Sequence, residues 1–142
     1  MTEEMVKLTF LGDIICKKQM IESYQISDNK FDFGSIFSDI SCVLKKSDYV
    51  CGNLETPISV DNSNLTGEEY CFNAPYEFAE AVYQNGVDFV ATANNHCLDR
   101  GIKGITSTIR SLNKIGILHT GIFEKKENCV KISKELRQKI QT

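Results

Sequence analysis

Four short apolar runs recur along this 142-residue chain, each closed by polar residues and separated from the next by a longer segment of mixed character. The first is Val6-Lys7-Leu8-Thr9-Phe10-Leu11, stopped by Gly12-Asp13. The second is Asp48-Tyr49-Val50-Cys51-Gly52, closed by Asn53-Leu54-Glu55-Thr56-Pro57. A third covers residues 87–93 ahead of Asn94-Asn95-His96, and the fourth is Gly116-Ile117-Leu118-His119 before Thr120-Gly121. Short apolar runs bounded by Gly, Pro and Asn read as strands. Between them, Phe33, Ile36, Phe37, Ile40, Val43 and Leu44 predict one helix, ending near Lys45-Lys46. Phe78, Ala79 and Val82 predict a second, with Pro75 in its first turn and Gly86 as its stop. Ile102, Ile105, Ile109, Leu112 and Ile115 predict a third. The stretch up to Tyr24 reads as polar, helical or irregular, and residues 59–70 as a surface loop. Strand and helix alternating at this rhythm specify right-handed βαβ units, hence an α/β fold with a parallel sheet.

Size and composition agree with one folded domain. The chain is 42% hydrophobic and 25% charged with only two prolines, which excludes a disordered or low-complexity chain. Its 16 basic and 19 acidic residues leave no overall basic excess for nucleic acid. No apolar run nears the ~20 residues of a membrane span. The acidic start Met1-Thr2-Glu3-Glu4-Met5 is unlike a secretory signal, so a cytoplasmic location is expected. Six cysteines stand at 16, 42, 51, 71, 97 and 129 without a CxxC pair. That spacing suits neither a zinc knuckle nor a disulfide framework, and reduced, mostly buried thiols are expected. From Glu124 the chain is a charged tail with Ile132, Leu136 and Ile140 at i, i+4, i+8. A short amphipathic helix and a frayed end both fit it.

Polar residues gather at the strand ends: Asp13 after the first, Asn53 and Glu55 after the second, Asn94, Asn95 and His96 after the third, His119 and Thr120 at the fourth. In a parallel sheet these are all carboxyl ends, where ligands of open α/β folds bind. Carboxylates, amides and an imidazole brought together suit Mn²⁺, Fe²⁺, Mg²⁺ or Zn²⁺ better than a thiolate-seeking ion. Each piece alone has an ordinary explanation as a turn, a cap or a solvated carboxylate. The recurrence at three successive strand ends is what points to a site. Cys97 beside His96 is a nucleophile only if the histidine lacks another role.

The blocks Phe10-Leu11-Gly12-Asp13-Ile14, Gly52-Asn53-Leu54-Glu55-Thr56-Pro57, Phe72-Asn73-Ala74-Pro75 and Asn94-Asn95-His96-Cys97-Leu98-Asp99-Arg100-Gly101 resemble the CapA family. This is the capsule, or poly-γ-glutamate, synthesis family, whose fold is similar to calcineurin-like metallophosphoesterases, an α/β/β/α sandwich. The resemblance runs from about residue 6 to residue 121. It implies metal ligation by Asp13, Glu55 and Asn95, with His96 as acid or charge stabiliser beside a phosphoryl group and Asp99 orienting it. Asn53 and Asn94 would stand behind these groups and orient them. The implied cofactor is a divalent metal, binuclear in the complete domain. Family domains continue beyond this length, so residues 1–142 are expected to be a shortened single domain with a half-built site, 122–142 forming the tail. The implied role is capsule or polyglutamate synthesis with a partial phosphoesterase-type site. The alternative is a non-catalytic accessory or inactive fragment, whose partner is a polymer-synthesis protein or a second copy paired through an open sheet edge.

Overall fold

The computed structural model describes residues 5–67 and 69–125, and there the alternation becomes a single parallel sheet with its helices. In chain order the elements are β1 (Leu8–Ile14), α1 (Lys18–Ser23), β2 (Gln25–Ser27), β3 (Lys30–Phe31) and α2 (Ser38–Leu44). They continue with β4 (Tyr49–Leu54), α3 (Tyr76–Gln84), β5 (Phe89–Ala91), α4 (Gly101–Ile115) and β6 (Leu118–Thr120). The main sheet has the order β1-β4-β5-β6, with every neighbouring pair parallel. The α/β reading therefore holds.

The two faces of the sheet differ in what covers them. Along β4, Val50, Gly52 and Leu54 are buried, while Tyr49, Cys51 and Asn53 between them are half-buried, the period of two expected of a strand. Val50, Leu54, Ile14 and Val90 share one core with Ile21, Leu44, Phe78, Val82 and Leu112, so all four helices supply that face. Phe33 sits at its centre, edge-on to Phe78 with ring centroids 5.4 Å apart and stacked on Tyr24 at 5.1 Å. The opposite face carries Leu8 and Phe10 of β1, in register with Tyr49 and Cys51, and then Phe89 and Leu118. Phe10 there is 74% exposed.

Several sequence expectations need correction. The first strand does not stop at Leu11. It runs through Gly12-Asp13 to Ile14, because the backbone re-pairs with β4 beyond an irregularity. Likewise β4 continues through Asn53 to Leu54. The helix expected from Phe33 begins only at Ser38, after turns over residues 34–37, and Ile40 and Val43 on its expected core face are exposed. Ile102 in α4 is also exposed, the buried stripe there being Gly104, Thr108, Ile109, Ser111 and Leu112. The β2–β3 ribbon, turning at Asn29 with φ 54°, has no counterpart in the apolar pattern of the sequence. Pro75 stands just before α3 with ψ 155° rather than in its first turn, whereas Gly86 does end that helix region, at φ 100°. The third strand is only Phe89–Ala91, and the fourth is displaced to Leu118–Thr120.

The 59–70 loop is more than surface. Ser59 and Thr66 are buried, Ile58 bridges Ala74, and the Asn73 amide Nδ2 donates to the Ser63 and Asn64 carbonyls. Among the described cysteines all five are free, and Cys16 alone is buried. The expectation of mostly buried thiols fails, because Cys51, Cys71 and Cys97 are half-buried and Cys42 is exposed. Cys129 and the apolar repeat Ile132, Leu136 and Ile140 lie outside the described residues.

Phe78→Ala should cost about 3–5 kcal/mol, since it empties the centre of the core. Ile40→Ala, at a position the periodicity alone would place in the core, should cost less than about 1 kcal/mol. Urea unfolding of the two variants checks this, and equal losses would contradict the packing described.

Candidate functional site

The site begins with an extra residue in β1. The ladder pairs Leu8 with Tyr49, Thr9 with Val50 and Phe10 with Cys51, then resumes at Asp13 with Asn53 and Ile14 with Leu54. Leu11 and Gly12 thus lie against Gly52 alone, the signature of a β-bulge. In an unbroken strand Asp13, three residues beyond Phe10, would face the opposite side of the sheet. The extra residue restores it to the side of Phe10, Cys51 and Asn53, and turns Ile14 into the core.

Asn53 is the hub of the cluster at these strand ends. Its Nδ2 donates to Asp13 Oδ1 at 2.8 Å and also to Glu55 Oε2, so one neutral amide joins two carboxylates. Its Oδ1 accepts from Asn94 Nδ2 at 3.1 Å, and the same nitrogen donates to the Leu54 carbonyl at 2.9 Å. Asn94 Oδ1 in turn accepts the backbone N–H of His96 at 3.1 Å. The ends of β1, β4 and β5 are therefore linked by side chains as well as by the ladder. Glu55 is buried, its backbone N–H donating to the Ile14 carbonyl at 3.1 Å, while Asp13 is exposed.

A second group sits between β5 and α4. His96 Nδ1 lies 2.9 Å from Asp99 Oδ2, which also accepts the Phe72 N–H at 2.7 Å. An ionised carboxylate can only accept, so Nδ1 carries the hydrogen and Nε2 is left for proton exchange. The Phe72 ring lies against the imidazole with centroids 4.5 Å apart. Arg100 Nη2 donates to the Cys71 carbonyl at 2.9 Å, and Cys71 Sγ to the Asp99 carbonyl at 3.3 Å. The 65–72 loop is thus fastened onto the His96–Arg100 turn.

The structure brings together Asp13, Asn53, Glu55 and Asn94, and joins them through the chain to His96 and Asp99. Asn95 is exposed, and its side chain bonds to no described residue. His119 stands apart from the cluster, with Nε2 3.3 Å from Asn113 Oδ1 in α4. Sequence reasoning missed Phe72 and Arg100 as parts of the site, although both lie inside the family-like blocks. Elsewhere, burial pushes the Cys16 thiol up to about 12, which makes it inert.

The donor set fits a hard divalent cation in kind. Asp13 and Glu55 each offer a second oxygen that no described residue occupies, and the amide oxygens of Asn53 and Asn95 are of the same hard character. Among the described residues no three His, Cys, Asp or Glu side chains gather at one point, so a closed all-protein cage is not what these residues would make.

Comparison with known proteins agrees with the motifs. The family described as "Bacterial capsule synthesis protein PGA_cap" matches residues 7–139. The chain is 30% identical over 124 residues to the capsule biosynthesis protein CapA of Bacillus anthracis, covering 85% of this chain and 29% of that protein. Over 120 residues it is 34% identical to the uncharacterized protein y4sH of Sinorhizobium fredii, covering 80% of this chain and 24% of that one. To the PGA biosynthesis protein CapA of Bacillus subtilis it is 25% identical over 114 residues, with coverage of 80% and 29%. The chain thus spans less than a third of each of these relatives.

His119 makes a pH prediction. It is 5% exposed, its Nδ1 has no partner among the described residues, and burial lowers its pKa below 6.5, so folding favours the neutral ring. The unfolded state then binds more protons, and stability is whole above about pH 6.5 and falls as pH drops through the folded value. Urea midpoints measured between about pH 8 and about pH 5 should decline on the acid side, and less so in His119→Gln. An identical decline in that variant would refute the assignment.

Proposed function

Because the chain belongs to the bacterial capsule synthesis protein family PGA_cap, we propose that it serves capsule or poly-γ-glutamate synthesis through a metal-dependent, phosphoesterase-type site at the carboxyl ends of β1, β4 and β5. The observation that carries this reading is the Asn53 amide shared between Asp13 in β1 and Glu55 just after β4, two carboxylates held at one point. Like charges brought this close favour a bound cation, which would relieve their repulsion.

In this reading Asp13 and Glu55 hold the cation, with the exposed Asn95 as a further oxygen donor. Asn53 fixes the distance between the two carboxylates, and Asn94 fixes Asn53. A divalent ion bound there would supply Lewis-acid polarisation of an oxyanionic substrate. His96 Nε2 would exchange a proton with the reacting oxygen or steady its charge, while Asp99 holds the tautomer and Phe72 limits ring rotation. Mn²⁺ added to metal-free protein should bind in calorimetry and raise the melting temperature. Asp13→Asn and Glu55→Gln should each weaken that binding about tenfold or more. Unchanged Mn²⁺ affinity in both variants would remove the site.

A second reading, a non-catalytic part of a larger assembly, is favoured by the sheet face that carries Leu8 and Phe10 on the edge strand β1. An open edge beside exposed apolar side chains is a surface for association. Sedimentation of the 142-residue chain should show self-association that Leu8→Lys/Phe10→Lys abolishes. A monomer at all concentrations would count against that reading.

A further inference from the structure

A cleft of about 450 Å³ lies between the residues that lead into α1 and the 65–72 loop. Lys17 and Lys18 line it from the first segment and Glu69 and Tyr70 from the second, together with the buried Thr66 and Phe72. Phe72 is shared with the candidate site, since its ring centroid lies 4.5 Å from that of the His96 imidazole. The neck of the loop is closed. The Thr66 N–H donates to the Asn73 carbonyl at 3.0 Å, and the Asn73 N–H donates to Thr66 Oγ1 at 2.7 Å. Just after Tyr70, the Cys71 carbonyl accepts from Arg100 and the Phe72 N–H donates to Asp99. This wall of the cleft is therefore ordered before any ligand arrives, which lowers the cost of binding.

Tyr70 is the anomaly of this loop. Its φ is 63°, in the left-handed region that a bulky side chain occupies only at a cost. The other described non-glycine residues with positive φ are Asn29, Asn62 and Asn64, the residue type that tolerates that region. Tyr70 is also 72% exposed, so burial in the core does not compensate the strain. An asparagine or glycine would suit the backbone better, and what tyrosine adds is a flat aromatic face. Backbone strain kept at an exposed aromatic residue on the wall of a cleft points to a functional position.

We propose that this cleft binds a ring compound carrying a single oxyanion group, of the kind of a nucleoside or sugar monophosphate, with the face of its ring laid on Tyr70. Stacking on an aromatic side chain selects for a ring and tolerates differences in its substituents. The oxyanion has two ammonium partners. Lys17 forms no ion pair among the described residues, and Lys18 is held only by Glu22 at 3.7 Å, an exposed pair that is easily exchanged. Glu69 accepts hydrogen bonds from hydroxyl or amino groups on the ring, and its charge disfavours a ligand with many negative groups. The cleft adjoins the His96 turn through Phe72, but the inference does not rest on a metal at the strand ends.

The test is calorimetry on the whole 142-residue chain in metal-free buffer, with adenosine 5′-monophosphate, glucose 1-phosphate and inorganic phosphate as separate probes. At least one of the two ring compounds should bind about tenfold or more tighter than inorganic phosphate. Tyr70→Asn should weaken that binding about tenfold. Its melting temperature should stay at or above that of the parent, because asparagine tolerates the left-handed backbone. Tyr70→Phe keeps the ring and should bind as the parent does. Binding of the nucleotide alone identifies a base as the stacked ring, and binding of the sugar phosphate alone identifies a sugar. Binding of both shows that the ring face itself is what Tyr70 reads. Failure of both to bind, inorganic phosphate binding as tightly as either, or affinity unchanged in Tyr70→Asn overturns the proposal. Loss of Mn²⁺ binding in Asp13→Asn would leave this result untouched, so the two sites are tested independently.

Discussion

Two residues of β1, Leu11 and Gly12, lie against one residue of β4, Gly52, and that mismatch sets the orientation of everything at the carboxyl end of the sheet. Because side chains alternate along a strand, a single extra residue exchanges the two faces for all that comes after it. Before the bulge, Phe10 lies exposed on the face away from the core. After it, Asp13 returns to that face and Ile14 enters the core. Ile14 packs over Gly52, where a Cβ would come within 2.6 Å of its Cδ1. Core packing and site geometry are therefore set by one irregularity.

Asn53 makes use of the placement. A lysine or arginine between two carboxylates would cancel one of their two charges permanently, whereas an amide positions both and leaves their charge in place. Its own orientation is held by Asn94, which also caps the His96 N–H, so the three strand ends behave as one polar unit. The His96–Asp99 pair is held from the other side by the 65–72 loop through Phe72, Cys71 and Arg100. Asp99 and Arg100, adjacent in sequence, face different tasks: one orients the imidazole, and the next ties the 65–72 loop to the turn through the Cys71 carbonyl.

The strand–helix rhythm made the parallel sheet legible in the sequence, and the polar residues after each apolar run made its functional edge legible. Less could be read where a pattern needs a partner to acquire meaning. Ile40 and Val43 repeat at helical spacing with Phe33 and Leu44, but spacing defines a stripe and does not say that anything packs against all of it. The β2–β3 ribbon turns at Asn29 in the left-handed region, a turn that polar neighbours hid. His119 stands at a strand end in sequence, yet the alternation of side chains directs it toward Asn113 and away from the carboxylates.

By itself the sequence determined the class of fold, the family, and which residues end the strands, because these depend on local patterns: periodicity, turn chemistry and motif spacing. The tertiary structure decided which of those residues meet. That Asp13 reaches Asn53 depends on pairing 40 positions apart and on a one-residue bulge, neither of which leaves a local trace. The same holds for Phe72 against His96. Long-range register is a property of two strands together, and a chain read one segment at a time does not contain it.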